Sequence, residues 1–302
     1  MRKLALKIDV DTYRGTREGV LPLVQALKER GAGATFLFSL GPDHTGRAIK
    51  RVFRPGFMKK VSRTSVVEHY GVKTLLYGTL LPGPDIGRKC GDILRGVRDA
   101  GFEVGIHTYD HIKWQDGVTK ADAQWTRAEM TKAVEAFKFV FGTAPLTHGA
   151  AGWQMNDTAY ELEQEFGFRY ASDGRGTHPF IPVVHGKALR VPQLPSTLPT
   201  LDELIGLDGL TPENVHERLL ALTATPAQDH VYTLHSELEG MRLLPTFTRL
   251  LDGWRAQGYE LVSTENIFSN LDVARLPHHE VATGEIPGRS GALALQGSVR
   301  KP

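Results

Sequence analysis

The run Leu4-Ala5-Leu6-Lys7-Ile8-Asp9-Val10-Asp11-Thr12 is apolar around one lysine until two aspartates close it. It reads as a short buried strand with acids at its C-terminal end. Residues two apart in a strand point to the same face, so Asp9 and Asp11 project together. Two close carboxylates repel unless a cation or a shared proton relieves them. The rest of the chain offers partners for such a cation in His107 and His111.

Outward from that strand the pattern alternates. Glu18 to Arg30 has Val20, Leu23, Val24 and Leu27 on one helical face, after a loop at Tyr13 to Arg17. Ala34 to Phe38 is a second buried strand, completing a β-α-β unit and implying a parallel sheet. A helix around Ile93, Leu94 and Val97 leads to the strand Phe102–Ile106, which delivers His107. Ala121 to Phe141 reads as a long helix, Leu146 to Ala150 as a strand, and Asn156 to Phe166 as a helix capped by Asn156. Phe168 to Ser172 is a strand ending at Asp173. A Pro-rich passage from Pro179 to Pro199 is mostly loop, with a short strand near Leu189-Arg190-Val191. Pro212 opens a helix, His230 to Leu234 is a strand delivering His235, and Phe247–Gln257 and Tyr259–Val262 are a last helix and strand.

About seven strand-helix alternations favour a barrel-like α/β fold of a single domain, with a doubly wound open sheet as the alternative. In either, active sites lie at the C-terminal ends of the strands. Asp9, Asp11, His107, Asp173 and His235 all fall at such ends. The domain spans residues 1–275. From Leu276 to residue 302 the chain is Gly-rich and weakly patterned, and reads as a loose or extended tail.

The segment from about 41 to 87 breaks the alternation and is too long for an ordinary loop. Arg47, Lys50, Arg51, Arg54, Lys59, Lys60 and Arg63 follow one another without an acid, interleaved with Val52, Phe53, Phe57, Met58 and Val61. Leu75, Leu76, Tyr77, Leu80 and Leu81 come next. Such an insert suits an anionic membrane surface, or else a solvated helical face packed beside a hairpin.

The chain has 302 residues and a net charge of +2, which excludes a polyanion binder such as a nucleic-acid protein. Cys90 is its only cysteine, so an internal disulfide and a thiolate zinc cluster are excluded. The apolar run after Met1-Arg2-Lys3 is cut by Lys7 and Asp9, leaving no secretory core, and no stretch reaches the roughly 18–20 apolar residues of a membrane span. The expected location is cytoplasmic, soluble or peripheral.

His107-Thr108-Tyr109-Asp110-His111 places two imidazoles four residues apart. If the segment turns helically they share a face and can hold one divalent metal, with Asp11 completing a two-His, one-carboxylate set. Exposed or capping histidines are the bland alternative. No Glu follows His107, so this is not a zincin, and the general base must come from elsewhere; Asp9 is the candidate. Haloacid-dehalogenase-type phosphatases also use D-x-D after a first strand, but Tyr13 spoils that match. Nucleotide-sugar transferases use D-x-D without needing the two histidines. His235, alone, would be a core histidine; at a strand end it is also placed as a general acid, with Asp173 able to hold its outer nitrogen.

Together these motifs resemble the polysaccharide deacetylases of the NodB-homology fold, a distorted (β/α)7-type barrel. The resemblance implies Asp9 as base, Asp11, His107 and His111 as metal ligands, His235 as acid and Asp173 as its support. The family has adjacent aspartates, whereas Val10 separates them here. Further stretches resemble one branch of that family: Arg14-Gly15-Thr16-Arg17-Glu18-Gly19-Val20, Gly41-Pro42-Asp43, Ala150-Ala151-Gly152-Trp153, Ser172-Asp173 with Arg175-Gly176, Thr197-Leu198-Pro199-Thr200, and His235 with Glu237 and Glu239-Gly240. That branch removes formyl from undecaprenyl-phosphate 4-deoxy-4-formamido-L-arabinose, in lipid A modification and polymyxin resistance. It implies a divalent ion (zinc first; cobalt, manganese or nickel as alternatives). It also implies a lipid-linked sugar substrate contacted by Arg14, Arg17, Tyr109, Trp153 and Arg175, and no obligate protein partner. Docking on the cytoplasmic face of the inner membrane would fall to Arg54, Lys59, Lys60 and Arg63. A carbohydrate N-deacetylase of other substrate and a non-catalytic polyprenyl-phosphate binder are the alternatives.

Overall fold

The computed structural model describes residues 2–48, 71–225 and 228–300. Arg54, Lys59, Lys60 and Arg63 lie outside them.

Strand β1 (Arg2–Val10) is the axis of the molecule, and its residues from Leu4 to Val10 are all buried. A strand covered on both faces must be apolar nearly throughout, which is what parallel sheets with helices on their faces require. Each fully buried Leu, Ile or Val there contributes about 1.5–3 kcal/mol. β2 (Thr35–Ser39), β3 (Glu103–Thr108), β4 (Thr147–His148) and β5 (Tyr170–Ala171) continue the sheet on one side. β8 (His230–His235) pairs with β1 on the other, in register from Leu4↔His230 to Asp9↔His235. β9 (Tyr259–Val262) also pairs with β1, at Arg2 to Ala5, whereas β2 takes Lys7 to Val10. These seven strands are parallel and curl into a distorted half-barrel. The extended run 192–197 lies across the remaining gap. Leu194 N donates to Ala171 O and Thr197 N to Val231 O, so that run reaches both edges.

Helices α1 (Val20–Glu29), α2 (Ile86–Asp99), α3 (His111–Gly117), α4 (Ala123–Phe141), α5 (Asp157–Phe166), α6 (Val215–Leu222) and α7 (Leu244–Ala256) connect the strands. Asp85, Asp110, Asp122 and Asn156 cap four of them with their side chains. The loop expected at Tyr13 to Arg17 is instead largely helical, with a π-turn at Gly15–Gly19 leading into α1. Thr12 Oγ1 accepts from Gly15 N, and Thr16 Oγ1 donates to Thr12 O. A Cβ on Gly19 would stand 2.1 Å from Ser236 O, so this wide turn is pressed against the loop after β8.

Two further expectations are corrected. The strand near Leu189-Arg190-Val191 falls earlier, as the hairpin of β6 (Ile181–Val184) and β7 (Lys187–Ala188). His185 and Gly186 both have positive φ at its turn, the conformation that matches strand twist in a two-residue hairpin. The C-terminal segment is not loose. β10 (His278–Gly284) and β11 (Leu293–Val299) form an antiparallel hairpin, and β10 lies parallel to β6 in a second, four-stranded sheet. Val281 and Ala294 pack on the main core and Leu293 is buried, which outweighs the glycines around them.

Candidate active site

The acids and histidines meet at the C-terminal ends of β1, β3 and β8. His107 sits in β3, while His111 is the first residue of α3, whose cap is Asp110. The two therefore converge across a strand-to-helix corner rather than along one helix, with ring centroids 5.3 Å apart. Asp11 lies between them: Oδ1 is 3.2 Å from His107 Nε2 and Oδ2 is 3.4 Å from His111 Nε2. His107 Nδ1 stands 2.7 Å from Gly149 O, a pure acceptor, so Nδ1 carries the proton and donates. The neutral ring then turns the Nε2 lone pair toward a carboxylate, an acceptor facing an acceptor. A proton on each imidazole, or one divalent cation, removes the mismatch. The separations match the edge of a tetrahedral site with zinc-like bonds, about 3.3 Å. Two imidazoles and a carboxylate form a donor set for a borderline divalent ion. The residues present thus fit a metal.

Burial alone would raise the Asp11 carboxyl, but His111 and His107 more than offset it and hold it far below the ordinary range. His107 is displaced upward: burial opposes its charged form, and Asp9 and Asp11 outweigh burial.

Asp9 is buried beside this set, with Oδ1 3.8 Å from His107 Nδ1 and Oδ2 3.6 Å from Lys7 Nζ. Lys7 is fully buried, and its ammonium also donates to Ser172 O at 2.9 Å. It lies two residues before Asp9, on the same face, so a lysine inside an apolar strand was the sequence signal for this pair. Asp9 Oδ1, Asp11 Oδ1 and His235 Nδ1 are buried without a hydrogen-bond partner among the described residues. His235 Nδ1 is 4.0 Å from Asp202 Oδ1. Burial would depress its pKa, yet Asp202, Asp11, Glu239 and Asp9 together hold it above the usual histidine value.

Two glutamates frame the site. Glu237 Oε1 accepts from Asp11 N (3.1 Å), Thr12 N (2.8 Å) and Thr12 Oγ1 (2.8 Å), fixing the turn that carries Asp11. Glu239 Oε2 accepts from His235 N at 3.0 Å. Burial pushes both carboxyls up to about 7, with the Asp11 charge adding to the effect on Glu237.

The sequence profile of the polysaccharide deacetylases matches residues 4–171, more than half of the chain. The chain belongs to the polysaccharide deacetylase family. A protein from Shewanella sediminis is 39% identical over 300 residues, 98% of this chain and 95% of the relative. It carries the name "Probable 4-deoxy-4-formamido-L-arabinose-phosphoundecaprenol deformylase ArnD". One of the same name from Wigglesworthia glossinidia brevipalpis is 28% identical over 95% of this chain and 100% of its own. Among solved structures, a Mycobacterium smegmatis protein assigned to the polysaccharide deacetylases superposes with a TM-score of 0.64 at 18% identity. It covers 94% of this chain and 96% of its own, and so speaks for the fold.

Within this polysaccharide deacetylase, Asp173 is not the partner of His235. It is fully buried among other groups: Oδ1 is 2.7 Å from His148 Nδ1 and accepts from Ala150 N (2.9 Å), while Oδ2 accepts from Gln193 Nε2 (2.8 Å). Glu163 joins at 3.1 Å from the same imidazole nitrogen. Burial and the Asp173 charge lift the Glu163 carboxyl well above its ordinary value, so it keeps its proton and hydrogen-bonds to Asp173. The ligand atoms of His148, Glu163 and Asp173 also cluster tightly. Their backbone role is plain: they anchor the 148–150 segment whose Gly149 carbonyl orients His107. Asp202 stands where the sequence reading had put Asp173.

The other candidates divide. Trp153 is buried, with Nε1 donating to Ser196 Oγ. Arg175 forms two bonds with Glu203 from Nη1, at 2.7 and 2.9 Å, so its charge is already answered. Tyr109 follows His107 by two residues and packs against Gly41. Arg14 pairs with Glu18 at 2.9 Å, and Arg17 lies over the Tyr13 ring.

Proposed function

We propose that this chain hydrolyses the formamide of undecaprenyl-phosphate 4-deoxy-4-formamido-L-arabinose, giving formate and the 4-amino sugar. The observation that carries this reading is the end-to-end likeness to a relative bearing that activity in its name. The meeting of Asp9, Asp11, His107, His111 and His235 supplies the means. Asp11, His107 and His111 would hold a divalent ion, zinc first, whose Lewis acidity serves the water and the amide oxygen. Asp9 takes the proton from water as its oxygen bonds to the formyl carbon. Lys7 holds Asp9 in place. His235, its charged form favoured by four carboxylates, donates a proton to the sugar nitrogen as the C–N bond breaks. Formamide and water thus become formate and an ammonium sugar, with no further reactant.

No described helix is long and apolar enough to cross a membrane. A polyprenyl substrate therefore calls for peripheral docking on the cytoplasmic face of the inner membrane, through Arg54, Lys59, Lys60 and Arg63. Each such cation contributes roughly 1 kcal/mol at an anionic surface. Unchanged vesicle binding after Lys59→Glu, Lys60→Glu and Arg63→Glu would remove that assignment.

The deciding experiment measures formate from the formamido lipid phosphate, with chelated and metal-restored protein, beside the acetamido analogue. Metal-dependent formate with little acetate is expected. Acetate instead would move the chain to general N-deacetylation, since a lost methyl contact discriminates by only about 1–3 kcal/mol. Release of neither would leave a non-catalytic binder.

A further inference from the structure

Three cations gather on one buried indole. The Arg289 guanidinium carbon lies 4.2 Å from the Trp153 ring centroid, that of Arg175 5.1 Å, and Lys7 Nζ 5.5 Å. Trp153 is buried, its Nε1 donates to Ser196 Oγ, and its backbone has a φ of +53° directly after Gly152 at +62°. Two of the three charges are balanced. Lys7 has Asp9 and Ser172 O. Arg175 has both oxygens of Glu203, and also donates to Leu198 O.

Arg289 differs. Among the described residues, its acidic neighbour is the same Glu203 Oε1, at 3.5 Å, already engaged by Arg175 at 2.7 Å. Two guanidiniums therefore share one carboxylate. The Arg289 side chain is only 12% exposed, so water does little to screen the surplus charge. A largely buried cation that shares its carboxylate with another guanidinium is costly, and such surroundings favour a further anion.

The place is also telling. Glu203 is the neighbour in sequence of Asp202, which faces His235 at 4.0 Å. Lys7, on the same indole, reaches Asp9. Arg289 is thus linked to the proton donor through two successive carboxylates, Glu203 and Asp202. It is delivered by the connection between β10 and β11, and that connection is clamped. Gln154 Nε2 donates to Ala292 O at 2.7 Å. A Cβ on Gly288, whose φ is +81°, would lie 2.1 Å from Glu203 O.

We infer that Arg289 is an anion-binding residue of the active site and takes the phosphodiester of the lipid-linked sugar. This rests on the proposed function. A pyranose carries C1 and C4 at opposite ends of the ring, so a phosphate on C1 stands one sugar-width from an amide on C4. The planar guanidinium fork suits two phosphate oxygens at once, and its central carbon lies over the Trp153 ring. The C-terminal hairpin is then a specificity element.

The test compares a short-chain prenyl phosphodiester of 4-formamido-4-deoxy-L-arabinose with the uncharged methyl glycoside of the same sugar. Wild type, Arg289→Ala and Arg289→Lys are assayed with metal content and Tm recorded. The preference in kcat/KM for the phosphodiester should fall about 10- to 100-fold in Arg289→Ala, mainly through KM, and recover in part in Arg289→Lys. An unaltered preference overturns the assignment, as does an equal loss on both substrates. If Arg289→Ala does not fold, Arg289→Gln takes its place. If wild type releases formate from neither compound, the proposed function fails on its own account. Arg289 is then read from the broadening of the phosphorus resonance of L-arabinose 1-phosphate. Equal broadening with wild type and variant overturns the inference, and broadening with wild type alone sustains it.

Discussion

Asp202→Asn is expected to move the alkaline fall of kcat/KM to lower pH. A general acid works only while protonated, so activity drops as pH rises through the pKa of His235. Asp202 heads the carboxylates that raise that pKa against burial, and removing its charge must lower it. The size follows from the 4.0 Å separation. Two unit charges at that distance interact by about 1 kcal/mol in water and about 4 kcal/mol at an effective dielectric of 20. At 1.36 kcal/mol per pKa unit, the limb should shift by at least about 0.8 unit and by no more than about 3. Asparagine preserves the shape, so the metal set should be untouched. The assay is a pH profile of kcat/KM, which reports the free enzyme's essential groups. Asp173→Asn serves as the contrast and should leave that limb in place. A limb unmoved in Asp202→Asn but displaced in Asp173→Asn would refute this account and restore Asp173 as the partner.

Asp9→Asn should abolish turnover while metal content by elemental analysis stays at the wild-type level; retained turnover would dismiss Asp9 as the base. His107→Ala should lose the metal itself, and in wild type acidification should weaken metal binding because protons compete for both imidazoles. Asp173→Ala removes an acceptor from Ala150 N, His148 and Gln193 in the buried interior, and should cost about 3–5 kcal/mol in urea unfolding. A loss below about 1 kcal/mol would mean the network is dispensable.

The strand ends could be read from the chain because period-two alternation and helical periodicity are local. Asp9, Asp11, His107 and His235 each close a strand, and a rim gathers whatever closes strands. The partner of His235 could not be read that way. Asp173 also follows a strand, but its short side chain is drawn into the barrel by His148 and Gln193, and only packing reveals that. Asp202 comes from a one-turn helix after the Pro-rich passage, with no periodicity to announce it. The hairpin of β10 and β11 was hidden for another reason. Its glycines argue locally for a loop, while its stability comes from β6, about a hundred residues earlier. The π-turn at Gly15–Gly19 answers a tertiary constraint, the closeness of Ser236 and Glu237. The cations on Trp153 come from three distant segments that no spacing rule connects.

Glu237 grips the backbone of Asp11 from 226 residues downstream. That span has a consequence for how the protein is made. The acidic end of β1 leaves the ribosome 226 residues ahead of its clamp. At about 5–20 residues per second, the interval is on the order of 10–45 s. Throughout it the nascent chain carries two neighbouring carboxylates and an open strand edge, with β8 still unsynthesised. Assembly of the catalytic rim is therefore a late event, and a truncated or stalled product should be handled by the cell as an unfinished sheet rather than as an enzyme lacking its tail.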